Sequence, residues 1–337
     1  MPPTICREKP NRVSAAWFNE NSWGIAGGIN KFNTKRFQEL RVYNWVEYSR
    51  LHKPSVFADF SLNSEGFFLT KKVFAYGFNA RFEPVNTHDY FEPRTTDFSR
   101  YYDYPKNTTL GGFISTDYRK PFAFDLGYKY RWFAQHGQNS NNIFFSPRFR
   151  FNDHISLLWN TQLNVQTNYP NFVSKNEESI GYSALSADAI ILGERQQWEI
   201  TNTPSLKWNF NHLMGLEIRF RHYWTRVNYA HYYELGRKGE LLASTYRGLD
   251  ASNNSLHNTN FNLFNIDANY TWRFAPGSDI IINWKQNIAG ANSDVLNDYF
   301  YNARRLFDNP MSNSFSIKVI YFVDYLTFAK KRTHSST

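Results

Sequence analysis

The sequence predicts an all-β fold: an antiparallel up-and-down transmembrane β-barrel of about twelve to fourteen strands, alone or as an incomplete part of a larger barrel. Three observations predict it. Long segments alternate apolar and polar residues with a period of two, because side chains of a strand leave the pleat on opposite sides. Aromatic residues make up 19% of the chain, with 31 Phe, 22 Tyr and 10 Trp against 3 Met, and such rings collect where hydrocarbon meets water. Tight turns alternate with long polar loops, as in barrels with short periplasmic turns and extended external loops.

The clearest element is Phe264–Ile288, FNIDANYTWRFAPGSDIIINWKQNI. Phe264, Ile266, Ala268, Tyr270, Trp272 and Phe274 share one face, and Asn265, Asp267, Asn269, Thr271 and Arg273 the other. Ala275-Pro276-Gly277-Ser278 supplies turn chemistry, since proline fixes φ and glycine tolerates its positive values. The return strand carries Ile280, Ile282, Trp284 and Ile288, with Asn283, Lys285 and Asn287 opposite and Ile281 as the one break. The stretch therefore reads as a long hairpin. Eleven such residues rise roughly 36 Å, and a tilt near 45° projects this to about 25 Å, the height of an apolar membrane band.

In chain order, strands begin at Trp23, and Val42, Asn44, Val46 and Tyr48 alternate with Arg41, Tyr43, Trp45 and Glu47. Phe57–Leu62 and Phe67–Phe82 are further candidates, followed by a proline-containing loop over 83–107. Leu110–Tyr118 and Pro121–Trp132 make a hairpin about Arg119-Lys120; Phe145, Phe149 and Phe151 then alternate with Arg148 and Arg150. The chain turns at Asn152-Asp153 and returns through Ile155, Leu157, Trp159, Thr161, Leu163 and Val165. A loop over 167–186 precedes a hairpin of Trp198–Asn209 and Leu213–Tyr229 about Asn211-His212. Loops over 232–258 and 289–312 flank the organising hairpin, and the last strand carries Phe315, Ile317, Val319, Tyr321, Val323 and Tyr325. The domain reading is an irregular segment at 1–20, a barrel at 21–328 and a polar tail at 329–337.

The direction of the faces decides the fold. The side chains of Phe122, Phe124, Tyr130, Trp132, Phe149, Tyr270, Trp272, Val319 and Tyr321 are expected to meet lipid. Asp125, Lys129, Arg131, Arg148, Arg150, Glu217, Arg219, Arg221, Asp267 and Arg273 are expected to line a hydrated interior, where both signs pair. The rival is a soluble sandwich or lipocalin-like barrel with rings inward. It fits the strand lengths and the scarcity of small aliphatics less well, because compact cores draw on Leu, Ile, Val and Ala.

Totals exclude several classes. No apolar run approaches the eighteen or so residues of a transmembrane helix, which leaves barrels untouched. The net charge of +9 and pI of about 9.4 come from Lys and Arg scattered singly along strands, so nucleic acid is not an expected partner. One cysteine, Cys6, rules out a disulfide within the chain. The start, MPPTICREKPNRVSAAW, has no apolar core of a signal peptide, so an exported protein of this kind is expected to be represented here by a fragment.

With these residues in view, the chain resembles a bacterial outer-membrane family of unknown function whose longer members place a carbohydrate-binding-like β-sandwich before a C-terminal barrel. The resemblance rests on HDYFEPR (His88–Arg94), STDYRKPF (Ser115–Phe122), RFRHYW (Arg219–Trp224), Phe264–Gln286 and NSFSIKVIYFVDYL (Asn313–Leu326). It implies export and residence in the outer membrane, and supplies no catalytic residues. This sequence departs from the long members in having neither signal peptide nor sandwich.

No constellation reads as catalytic. The nine histidines form no HExxH, and neither a metal nor a cofactor is expected. His222, beside Phe220 and Trp224, reads as a packed or interfacial histidine, and Asp153 with His154 as a chance neighbour of serines. Tyr101-Tyr102-Asp103-Tyr104 suits sugar stacking, with loop packing the better reading. The expected function is a non-enzymatic outer-membrane barrel, a conduit for small polar solutes or glycan fragments. The first alternative is a plugged barrel anchoring a partner or an N-terminal glycan-binding domain; the second is a lipid hydrolase. Expected partners are membrane lipid, lipopolysaccharide and glycan.

Overall fold

A computed structural model of the protein describes residues 20–175, 185–295 and 298–324. Its elements are β1 (Glu20–Phe32), β2 (Phe37–Leu51), β3 (Phe57–Thr70), β4 (Ala75–Glu83), β5 (Thr87–Asp89), β6 (Tyr102–Tyr104), β7 (Asn107–Ser115) and β8 (Phe122–Phe133). There follow β9 (Asn139–Arg150), β10 (Ile155–Lys175), β11 (Ile190–Asn209), β12 (Met214–Leu235), β13 (Leu241–Ala243), β14 (Thr259–Ala275), β15 (Ser278–Asn292), α1 (Tyr299–Leu306) and β16 (Met311–Ile320).

The chain is all-β and antiparallel. One fourteen-stranded sheet runs β1-β2-β3-β4-β7-β8-β9-β10-β11-β12-β14-β15-β16, with β13 attached to β12 off the path; β5 and β6 pair separately. Fourteen strands less β13 leave thirteen on the path. In an antiparallel meander an odd count makes the first and last strands run the same way. Among the described residues β1 and β16 are the path's two ends and do not pair, so the sheet is not closed there.

Register keeps the two faces separate. Phe122, Phe149, Leu157, Leu206, Ile218, Ala268, Trp284 and Phe315 stand opposite one another in an unbroken row from β8 to β16. Directly opposed residues share a face, so the apolar alternation of each strand joins into one surface. The organising hairpin obeys the same rule: Tyr270 faces Ile282 and Asp267 faces Lys285. Pro276 and Gly277 connect its strands, with Gly277 at φ 72° as this turn requires.

The polar face is concave over β2 to β10. A cavity of about 360 Å³ is lined by Glu47 of β2, Asp59 of β3, Arg81 of β4, Arg131 of β8, Asn142 of β9 and Gln166 of β10. Residues six strands apart in sheet order share a cavity only if the sheet curls toward that face. The convex face stays open: Phe122 is 47% exposed, Trp272 39% and Val319 61%. Phe124 meets Phe122 and Phe145, Phe149 meets Phe122 and Phe151, and Trp272 meets Phe274. These contacts run along the surface and do not converge on a centre.

At one end the connections 33–36, 71–74, 116–121, 151–154, 210–213 and 276–277 are all short. At the other lie 52–56, 84–106, 134–138, 236–258 and 298–310, beside the end of β10 and the start of β11, and the longer connections gather there. Several sequence boundaries need correction. Phe67–Phe82 spans a turn, because the two lysines at 71 and 72 are followed by Val73 at φ 59°, and β3 ends at Thr70. The first described strand begins at Glu20, before Trp23. The loop expected over 167–186 is strand as far as Lys175, since β10 extends past β9 to pair with β11. The loop over 232–258 holds the end of β12 and β13, and that over 289–312 holds α1, capped by Asp298. Val323 lies beyond β16, and the segment at 1–19, Tyr325 and the tail at 329–337 lie outside the described residues.

Candidate functional site

The concave face carries a charge network at its long-loop end. Alternation along β4 puts Arg81 and Glu83 on this side, and Arg81 Nε donates to Glu83 Oε1 at 2.7 Å. Arg81 also pairs with Asp59 of β3, and its Nη1 lies 3.9 Å from Glu47 of β2. From β8, Arg131 donates through Nη2 to Glu83 Oε2 at 2.9 Å and through Nε to Asn107 Oδ1 at 2.8 Å. Its Nη1 reaches the Tyr169 hydroxyl of β10 at 3.4 Å, and the guanidinium lies 4.6 Å from the Phe133 ring centre. Asp59, Glu83 and Asn107 are buried. Buried ions require partners, and here three carboxylates, Glu47, Asp59 and Glu83, meet two guanidiniums. Lys129 lines the same cavity.

The 84–106 loop covers this network. Thr87 Oγ1 donates to Asp59 Oδ1 at 3.4 Å, and His88 packs edge-on to Phe57 of β3. On the far side Tyr102 is buried with Ile190 and Leu192 of β11 and Leu235 of β12. Arg100 donates to the Leu235 carbonyl, Asp103 N to Gly239 O at 3.0 Å, and Phe172 N to Glu92 Oε1 at 2.5 Å. One loop therefore joins β3 to β10, β11 and β12 across the concavity. Burial shifts its titrating groups: the His88 imidazole is held below its usual value, partly opposed by Asp103. The Tyr90 phenol is pushed up to about 12 by burial and by Tyr101. Burial raises the Glu92 carboxyl against the lowering effect of the Phe172 N–H.

A second loop, 236–258, borders a cavity of about 540 Å³ with Tyr229, Tyr232, Tyr233, Tyr246 and Arg247 in its wall. The Tyr246 hydroxyl lies 2.7 Å from His257 Nε2. Burial lowers the His257 value and raises that of Tyr246.

Helix α1 lies on the other, convex face. Asn302 is its anchor: its Oδ1 accepts from Asn260 Nδ2 at 2.7 Å, and its carbonyl accepts from Asn262 Nδ2 at 2.8 Å. The Tyr299 hydroxyl meets His222 Nδ1 at 2.7 Å and Asn202 Nδ2 at 3.0 Å. Phe307 packs on Phe264, and Leu306 is buried.

The sequence-derived residues distribute as follows. Lys129 and Arg131 line the concave cavity. Asp125 accepts from the Tyr118 hydroxyl, over whose ring Arg148 stacks at 4.2 Å, and Arg150 is exposed near the 151–154 turn. Glu217 and Arg219 pair at 3.0 Å, Arg273 and Asp279 at 3.0 Å, and Asp267 and Lys285 at 4.0 Å; Arg221 is exposed on the same face. Of the lipid-facing set, Phe122, Phe124, Tyr130, Trp132, Phe149, Tyr270, Trp272 and Val319 share the convex register. Tyr321, just past β16, stacks on Phe274 at 6.2 Å. Tyr101 stacks on His88 at 4.3 Å and Tyr102 is buried, so this tyrosine run packs its own loop. His222 is held by Tyr299 and Asn262, and His154 Nδ1 by the Asn209 carbonyl at 2.8 Å.

The sequence reading missed Asp59, Arg81, Glu83, Asn107 and Tyr169. Arg81 and Glu83 alternate with Ala80 and Phe82, a signal that was available. Asp59, Asn107 and Tyr169 join them only through register. Among the described residues no group of three or more His, Cys, Asp or Glu is placed to hold a metal ion. No curated protein matches the chain. The model of the family described as Domain of unknown function (DUF5916) matches residues 17–332, and the chain belongs to that family.

Proposed function

We propose that this chain forms the greater part of an outer-membrane β-barrel, with its rings in lipid and its ionic face around a water-filled interior that passes small polar solutes or glycan fragments. The observation that carries this reading is the opposition of the two faces: a concave wall of paired charges and amides behind a convex surface of exposed Phe, Trp, Ile and Val. Contiguous apolar area on that scale marks a membrane or partner surface. On β14 the apolar run from Phe274 to Phe264 ends at Asn262 and Asn260, a rise of roughly 33 Å that a 45° tilt reduces to about 23 Å. Bacterial barrels of this kind have an even number of strands. The thirteen on this path would close in antiparallel fashion with an odd number of additional strands between β16 and β1.

A second reading, a plugged barrel serving as an anchor, draws support from the 84–106 loop, which is bonded to both walls of the concavity. Planar-bilayer recordings of the full protein distinguish the two. The conduit reading expects unit conductance that rises when residues 90–100 are replaced by a short Gly-Ser linker. Silence from both forms, with bilayer insertion verified, would leave the anchor.

A further inference from the structure

Helix α1 presents two unlike sides. Tyr299, Asn302 and Leu306 face the sheet. The other side carries Phe300 at 71% exposure, Tyr301, Arg304 and Arg305, while Phe307, 51% exposed, sits at the margin with one flank of its ring against Phe264. Large rings on a helix of net polar character are unfavourable in water unless something covers them. Neither Arg304 nor Arg305 has a carboxylate partner among the described residues; Arg305 Nη1 instead bonds the Tyr301 hydroxyl at 3.2 Å. Asp298 is occupied at the helix N-cap; two further exposed acids lie nearby, Asp308 just after the helix and Asp294, which lines a small pocket with Tyr301 and Arg305.

Position adds an independent constraint. The sheet residues under α1 belong to the convex register, and they sit where its apolar run gives way to polar groups: Phe264, then Asn262 and Asn260 on β14, and Phe220, then His222 on β12. Opposite Asn260 stands Arg226, also without a carboxylate among the described residues. Its guanidinium lies 5.3 Å from the Trp198 ring and 6.0 Å from that of Trp224, and its buried Nε has no partner. Rings and cations together at the limit of an apolar band are what the boundary between acyl chains and headgroups selects.

We infer that α1, with Arg226 beside it, is a lipid-headgroup site: Phe300 and Phe307 enter the acyl margin while Arg304, Arg305 and Arg226 bind the phosphates of anionic lipid. This inference rests on the membrane reading above. Guanidiniums suit the site because they bind phosphate in a bidentate manner and stay charged at any physiological pH. The helix thus fixes the depth of the barrel on its β11–β15 side.

The test uses the full chain with its single cysteine removed (Cys6→Ser) and an environment-sensitive fluorophore placed through Phe300→Cys or, separately, Val319→Cys. Each protein is reconstituted into phosphatidylcholine vesicles with or without phosphatidylglycerol. The inference expects a blue shift at position 300 that is larger with phosphatidylglycerol, lost in Arg304→Gln/Arg305→Gln and enhanced in Asp308→Asn. Position 319 should report hydrocarbon in every vesicle, which also verifies that the variants fold. Water-like emission at 300 with hydrocarbon-like emission at 319 overturns the headgroup site and leaves the barrel standing. So does a shift indifferent to lipid charge and to the arginines, or one that appears in detergent with rising protein concentration, as a second protein copy would produce. Water-like emission at both positions overturns the membrane reading itself.

Discussion

Arg131 of β8 donates to Glu83 of β4 at 2.9 Å across the intervening strand β7. The bond skips a strand because β7 contributes only the shorter Asn107 at this level, and Asn107 bonds both partners. Such a contact is possible where the sheet bends toward its polar side. Glu83 therefore reports on curvature as well as on charge.

Replacing Glu83 by Ala leaves Arg81 with Asp59 and the more distant Glu47, and takes from Arg131 its carboxylate partner among the described residues. The expected destabilisation is about 3 kcal/mol, as for other ion pairs broken from one side. Denaturant unfolding in detergent would measure it. The double variant Glu83→Gln/Arg131→Met should lose less than the sum of its singles, because removing both charges leaves no orphan.

Ile317, 59% exposed at the centre of β16, separates bilayer from water directly. In water Ile317→Arg should change stability by within about 0.5 kcal/mol. Facing lipid near the midplane, it should cost about 2–4 kcal/mol. Refolding titrations of both forms into vesicles give the difference.

The 236–258 loop should respond to pH. Burial holds the folded-state value of His257 below the ordinary imidazole value, so the folded loop binds its proton more weakly than the unfolded chain. Stability is fully present above about pH 6.5 and is lost as pH falls toward the folded value. Hydrogen exchange in this loop should accelerate on acidification, and His257→Gln should flatten that response.

Gly239 holds φ 85°, and a Cβ there would lie 2.7 Å from the Tyr101 ring and 2.9 Å from Asp103 N. Gly239→Ala should cost about 1–3 kcal/mol locally and free the 84–106 loop from the 236–258 loop. Limited proteolysis would show faster cleavage within 84–106 while the strands keep their circular dichroism.

The strands were legible because alternation is a local property: Phe122–Trp132 and Trp198–Asn209 lie within strands, and Phe264–Ile288 is two strands and the turn between them. The gathering of long loops at one end was legible for the same reason, since turn residues mark themselves. What escaped was set by distant partners. Whether 84–106 hangs free or folds over the concavity depends on Tyr102 finding Ile190, Leu192 and Leu235. The eight residues of α1 are too few for a clear helical period, and their helicity rests on the Asp298 cap and on Asn302. The charges Arg81 and Glu83 alternate visibly, yet their assembly with Asp59 and Arg131 required the curl.

The 84–106 loop has a mechanical consequence. Its ends leave β4 and enter β7, but its body grips β3 on one flank and β12 on the other. It therefore acts as a crossbar of fixed span that sets the girth of the wall between those strands. A force on this crossbar would tighten or slacken the curl of the sheet from β3 to β12, so strands that the loop does not touch would feel it.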